Sequence, residues 1–203
     1  MSVVPFDRAL QLKYDVPGPR YTSYPTAPHF GTDFGARAYA AIARESNADP
    51  LPRPLSLYVH IPFCESLCFY CACNKIVTRH RHKADTYLTY LEKEIALQGA
   101  LFDDDRVVTQ LHLGGGTPTY LSNQQLWRLM GTIKQHFRLA DGRDGEFSIE
   151  VDPREVDPDT LAILGEVGFN RLSLGVQDFN PRVQRAVNRV QSESLVASLV
   201  DRA

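Results

Sequence analysis

LSLYVHI, residues 55–61, runs directly into PFCESLCFYCAC, residues 62–73, and the fold turns on how its first seven residues are read. Apolar and polar side chains alternate: Leu55, Leu57, Val59 and Ile61 fall on one side, Ser56, Tyr58 and His60 on the other. A period of two is that of a β-strand. The cysteines then occupy the loop beyond its carboxyl end. Downstream, Ala84, Leu88, Leu91 and Ile95 recur at helical spacing, and three more strand-plus-helix units follow. RVVTQLHL precedes a helix opened by Ser122 with Gln125 three residues on, a capping box, and a stripe of Leu126, Met130, Ile133 and Phe137. FSIEV precedes a helix whose start is marked by Asp157 and Pro158 and whose end is marked by Gly168. RLSLGV is the fourth strand, and the chain after Asn180 reads as helical.

Strands alternating with helices predict a parallel α/β sheet or barrel. In each strand one face is polar. Thr109, Leu111 and Leu113 oppose Gln110 and His112. Phe147, Ile149 and Val151 oppose Ser148, Glu150 and Asp152, while Leu172, Leu174 and Val176 oppose Arg171, Ser173, Gly175 and Gln177. Parallel strands covered on both sides read instead as near-continuous apolar runs. Two readings stand: a sheet with one wet face, or an open barrel whose interior takes a polar ligand. Residues 1–54 differ in character, being punctuated by Pro and Gly in PGPRYTSYPTAPHF and ADPLPRP. They are expected to form an irregular arm with one short helix between about residues 35 and 46. The sequence stops at Ala203 within a helical pattern, and an open four-stranded sheet with one polar face would need more chain to cover it, so the chain is expected to be a fragment of a longer protein, residues 55–203 holding four strand-plus-helix units.

Composition limits the function classes. With 22 Lys plus Arg against 24 Asp plus Glu and 43% apolar residues, the chain reads as an ordinary globular domain with no polyanion-binding bias. MSVVPFDRALQLKYD lacks the pattern of a signal peptide, and no apolar run approaches the roughly 18 residues of a membrane span. The expectation is a cytoplasmic protein with no nucleic-acid or membrane partner. In a reducing compartment, clustered cysteines point to metal or redox chemistry rather than disulfides.

All four cysteines, Cys64, Cys68, Cys71 and Cys73, lie within ten residues at spacing Cys-x3-Cys-x2-Cys-x-Cys. A structural zinc site would use all four, although such sites usually pair two knuckles separated by a dozen or more residues. A thioredoxin-like pair at Cys68 and Cys71 would leave two thiols over. An iron–sulfur cluster wants several thiolates from one loop, and three ligands on a four-iron cube leave one iron open for catalysis.

Cys-x3-Cys-x2-Cys after the carboxyl end of a barrel strand resembles the signature of radical S-adenosylmethionine (SAM) enzymes. The resemblance continues through PGPRYTSYPTA, LSLYVHIPFC, CNKIVTR, LHLGGGTPTYL, SIEVDPRE, GFNRLSLGVQDFN and VNR, and is closest to the oxygen-independent coproporphyrinogen III oxidase (dehydrogenase) family. It implies the first four βα units of an open partial (β/α)6 barrel. It further implies a [4Fe–4S] cluster on Cys64, Cys68 and Cys71, with Cys73 a neighbouring non-ligand thiol. Two molecules of S-adenosylmethionine are implied, one against Tyr58, Gly115 and Glu150, the other against Tyr70, Gly116, Thr117, Gln177 and Arg189. The implied reaction converts two propionates of coproporphyrinogen III to vinyl groups in haem biosynthesis, in a monomer served by an unidentified electron donor and acceptor. The fragment alone is expected to be inactive.

Three features remain open to a second reading. Glu150 could instead be paired with Arg171. The run Arg79, His80, Arg81, His82 and Lys83 could bind substrate carboxylates or be a solvated surface. The arm with Arg20, Tyr21 and Tyr24 resembles a segment near the family's active site. A related haem-binding chaperone would share the three cysteines, but Cys73 and RYTSYP favour the oxidase.

Overall fold

The structure, a computed structural model, describes residues 6–15, 26–141 and 143–203. Arg20, Tyr21 and Tyr24 lie outside these. The chain divides into two compact units, residues 1–39 and 40–203. In the first, helix α1 (Arg8–Tyr14) is capped by Asp7, whose carboxylate accepts from the backbone N–H groups of Ala9 at 2.9 Å and Leu10 at 3.0 Å. This helix was not anticipated: at seven residues with no buried side chain, it offers the sequence no apolar stripe. Helix α2 (Ala36–Glu45) is the one that was.

The second unit is built on a parallel sheet. Its principal strands are β1 (Leu55–Ile61), β4 (Val107–Gly115), β6 (Glu146–Val151) and β7 (Arg171–Leu174), paired in that order. Between them come helices α3 (His82–Gly99), α4 (Asn123–His136) and α5 (Pro158–Val167). Each strand pairs with the next along the chain, so the order never reverses. With right-handed crossovers, such an order keeps every helix on one face, the arrangement of a barrel wall rather than of a doubly wound sheet. The carboxyl ends of all four strands therefore share one edge.

Burial follows the pattern of the sequence. Leu88 on α3, Leu111 and Leu113 on β4, Leu126 and Ile133 on α4, and Ile149 on β6 are essentially inaccessible. Each such side chain contributes about 1.5–3 kcal/mol by leaving water. The capping box opens α4 as expected, Ser122 Oγ accepting from Gln125 N at 3.3 Å and Gln125 Oε1 from Ser122 N at 2.9 Å. Asp157 caps α5 through Thr160 N at 2.7 Å, and Gly168 closes it at φ 116°, in the left-handed region open to glycine.

Two details depart from strict alternation. Leu55 pairs with Val108 but Ser56 with Gln110, so Thr109 is the extra residue of a bulge. Val108, not Thr109, therefore sits fully buried on the packed face with Leu111 and Leu113. The fourth strand also ends at Leu174, two residues earlier than expected. Beyond it, the Gly175 carbonyl is taken by Arg189 (Nη2, 2.6 Å), and the Val176 carbonyl by the side chain of Gln191, so neither is free for a ladder. Gln177 then adopts φ 66°, a left-handed conformation rarely tolerated by a side chain.

Short elements complete the unit. β2 (Phe63–Cys64) and β3 (Ile76–Val77) form a two-residue parallel pair, β5 (Arg138–Leu139) adds to β4, and α6 (Pro181–Ala186) and α7 (Glu193–Val200) follow β7. No helix among the described residues is long and apolar enough to cross a membrane.

Candidate active site

The segments that leave the four strands meet at their shared edge around a cavity of about 340 Å³. Strand β1 contributes the cysteine loop, β4 contributes Gly115, Gly116 and Thr117, β6 contributes Glu150 and Asp152, and β7 contributes Gly175 and Gln177. All four cysteines line it, as do Tyr70 and Arg189. Every site residue expected from the sequence is thus brought to one cavity except Tyr58, which stands beside it: a Cβ on Gly114 would lie 3.1 Å from the Tyr58 ring and 3.2 Å from the Glu150 carboxyl carbon.

The cysteine loop is tied down at both ends. Ile76 N donates to Pro62 O at 2.6 Å and Thr78 N to Cys64 O at 2.9 Å. From the β4 side, Gly116 N donates to Ile61 O at 2.9 Å and Thr117 N to Phe63 O at 2.7 Å. Gly116 has to be glycine for this approach, because a Cβ there would fall 2.6 Å from Phe63 O and 2.9 Å from Cys64 Sγ. Thr117 Oγ1 donates to Cys64 Sγ at 3.6 Å.

The thiols are free, and their surroundings separate them. Burial pushes the Cys64 thiol up, against the opposing hydrogen bond from Thr117. Burial also acts on Cys71, but hydrogen bonds from Cys73 and from Lys75 outweigh it and bring that thiol below its usual value. Lys75 Nζ is held by Cys71 O at 2.9 Å and Cys73 O at 3.4 Å. Among the described residues, no three His, Cys, Asp or Glu side chains converge as ligands of a single ion. A cube of four irons does not ask for that, since each thiolate binds a different iron. The donor set fits such a cluster: several thiols on one clamped loop, facing a cavity beside the cations Lys75, Arg154 and Arg189.

On the sheet's polar face, side chains form a ladder. His60 Nε2 lies 2.8 Å from Asn74 O, which can only accept, so in the neutral ring Nδ1 accepts from the Tyr58 hydroxyl 2.9 Å away. Tyr58 stacks on His112 with centroids 5.9 Å apart. His112 Nδ1 meets Ser148 Oγ at 2.7 Å, and its Nε2 lies 3.5 Å from Glu150 Oε1. The other oxygen of Glu150 accepts from Gly115 N at 3.2 Å. Arg171 is not its partner: that guanidinium pairs with Glu146 at 2.6 Å, at the opposite end of the strands. The basic run is exposed. Arg81 within it is bound to Glu65 and donates to Tyr120 O at 2.7 Å, which gives it a structural task.

Sequence reading missed Asp152 and Arg154 as members of the site. Asp152 is buried at 5% exposure. It accepts from Arg154 Nη2 at 2.7 Å and Nε at 3.0 Å, and pairs with Arg189 Nη1 at 3.0 Å. The alternating polar position of Asp152 was the available signal, and the partner Arg154 had none, because it lies in the turn after β6.

Comparison with known proteins agrees with this geometry. Residues 58–203 match the radical SAM superfamily. The chain is 55% identical over 206 residues to the oxygen-independent coproporphyrinogen III oxidase of Escherichia coli (strain K12), covering all of this chain and 43% of that protein. The enzyme of the same name from Pseudomonas aeruginosa is 46% identical over 203 residues, with 100% and 44% covered. That of Mannheimia haemolytica is 51% identical over 153 residues, 75% of this chain and 100% of the relative. The solved structure of coproporphyrinogen III oxidase (HemN) from Escherichia coli, described as a radical SAM enzyme, superposes with a TM-score of 0.83 at 52% identity over 98% of this chain and 43% of that one. The chain thus spans less than half the length of the first relatives it matches.

Proposed function

The chain belongs to the radical SAM superfamily, within its oxygen-independent coproporphyrinogen III oxidase family, and from that premise we propose that the protein oxidatively decarboxylates two propionate side chains of coproporphyrinogen III to vinyl groups, releasing carbon dioxide from each and passing the electrons to S-adenosylmethionine and an acceptor, to give protoporphyrinogen IX for haem biosynthesis. The observation that carries this reading is the convergence of the cysteine loop with the ends of all four strands on one cavity.

Cys64, Cys68 and Cys71 would hold a [4Fe–4S] cluster, with Cys73 left as a free thiol beside it. Bound there, the cluster and S-adenosylmethionine would supply one-electron radical chemistry directed at a substrate propionate. The residues of this chain hold, orient and exclude. Glu150, fixed by Gly115 N, presents a carboxylate to ligand hydroxyl or ammonium groups alongside Tyr58. Gly116, with no Cβ to strike Phe63 O and Cys64 Sγ, keeps the cysteine loop close against the end of β4. A second S-adenosylmethionine would lie against Tyr70, Gly116, Thr117, Gln177 and Arg189. The polar cavity at the strand ends keeps the reacting groups oriented. The substrate pocket, the electron donor and acceptor, a monomeric state and a cytoplasmic setting belong to the same proposal, the last supported by four free thiols. So does the organisation of the chain as an N-terminal arm followed by a radical SAM barrel.

The test is anaerobic incubation of the full-length protein with coproporphyrinogen III, S-adenosylmethionine and a reductant, followed by porphyrin analysis. Protoporphyrinogen formation is expected, and an assembled cluster with no such product would overturn the assignment. Replacing Cys64, Cys68 or Cys71 by Ala should abolish the visible cluster absorbance after reconstitution, whereas Cys73→Ser should retain it.

A further inference from the structure

Cys68 is the thiol most closely embraced by charge. It is 8% exposed, and two guanidinium groups donate to its sulfur, Arg189 Nη1 at 3.6 Å and Arg154 Nη2 at 3.8 Å. Both are held by the same carboxylate, Asp152. The side chains of Asp152, Arg189 and Arg154 are 4%, 9% and 21% exposed, so the group is built into the wall of the cavity and is not a solvated surface cluster. One carboxylate between two guanidiniums leaves a net positive charge against the sulfur. Asp152 does not need Arg154 for its own sake, since Arg189 Nη1 and the Arg154 backbone N–H already reach it at 3.0 Å. What the Arg154 side chain adds is a fork that grips Asp152 through Nε and Nη2 and turns Nη2 towards Cys68.

We propose that Arg154 is a positioning residue for the cluster ligand Cys68 and that, with Arg189, it raises the reduction potential of the cluster. The inference rests on reading Cys64, Cys68 and Cys71 as ligands of a four-iron cluster. The physical basis is general: a reduced cluster carries one more negative charge than an oxidised one, and hydrogen bonds and positive charge at the ligand sulfurs stabilise the reduced form selectively. Arg189 also supports the Gly175 turn through Nε and Nη2. Among the described residues Arg154 has no comparable second task, which makes it the cleaner residue to change.

The experiment is a redox titration of the anaerobically reconstituted full-length protein, followed by electron paramagnetic resonance without substrate, comparing wild type with Arg154→Gln and Arg154→Lys. Iron and sulfide content and circular dichroism are measured in parallel. Arg154→Gln is expected to keep its iron and to shift the oxidised-to-reduced ratio at fixed potential about tenfold towards the oxidised form, a midpoint lower by about 59 mV for a one-electron couple. Arg154→Lys, which keeps the charge and loses the fork, is expected to lie between. A ratio within twofold of wild type at equal iron content would overturn the proposal. Loss of iron from both variants with an intact fold would also overturn it, by making Arg154 an assembly residue. A wild-type protein that binds no four-iron cluster would instead remove the ligand reading itself, and the two failures are told apart by the wild-type iron and sulfide content.

Discussion

Asp152 and Glu155, three residues apart at the end of β6, titrate in opposite directions. Burial acts to raise Asp152, but the hydrogen bonds from the Arg154 side chain and backbone and the charge of Arg189 outweigh it, so the carboxyl lies below the usual range. Its contribution to stability is present above the ordinary carboxylate pKa and is lost as pH falls through the depressed folded value. Glu155 is pushed up to about 7 by burial first, and then by the charges of Asp152 and Glu65. Its contribution is fully present below its unfolded pKa, near 4.5, and is lost as pH rises through about 7. Glu155→Gln should therefore leave urea stability of the apoprotein nearly unchanged at pH 5. At pH 8 it should raise stability by on the order of 1 kcal/mol, discounted for partial solvent exposure. Equal effects at the two pH values would refute a raised Glu155. At Glu150, whose oxygens face Gly115 N and His112, Leu keeps approximate bulk and removes the acceptor. Isothermal titration of the reconstituted protein should find S-adenosylmethionine bound roughly tenfold more weakly, the worth of one hydrogen bond to a charged group, with the cluster intact.

Elements with their own punctuation were readable in advance. Helix α5 has Asp157 before it and Gly168 after it, and both do what their chemistry suggests. At Gly168 an added Cβ would meet nothing closer than Lys134 Nζ at 3.7 Å. The cost of Gly168→Ala therefore comes from φ 116° and not from crowding. Thermal or urea unfolding should show a loss of about 1–2 kcal/mol, and no loss would mean that the turn relaxes to another conformation. What was not readable has a common cause. The pair β2 and β3 and strand β5 are two residues each, too short to show any period, and they exist because neighbouring backbone groups are already in place. The bulge at Thr109 likewise leaves no mark in a sequence where Val107, Val108 and Thr109 are all good strand residues. Gln177 reached the cavity, but from a left-handed turn and not from the polar face of a strand.

Across the whole molecule, the location of the site was legible because four polar strand faces and one cysteine loop pointed to the same edge. The cooperation of Asp152, Arg154 and Arg189 was not, because it joins residues from two different loops through tertiary contact alone. A ligand that binds only the folded protein at that edge stabilises all of it. At about one hundred times its dissociation constant, S-adenosylmethionine should add about 2.7 kcal/mol to the holoprotein. For a domain of this size that is a rise of roughly 5–10 °C in melting temperature. An unchanged melting temperature at that concentration would exclude binding to the folded state. The clamp at the two ends of the cysteine loop has a further consequence, for the uptake of iron. Residues 65–75 are closed into a ring by the pairing of Phe63 with Ile76 and Cys64 with Val77. Closing eleven residues costs about 2 kcal/mol of chain entropy, and the backbone pairs of the clamp hold that ring closed without calling on the thiols. With the loop clamped in this way, the rate of iron uptake should depend on collision with the loop and not on a search by an open chain.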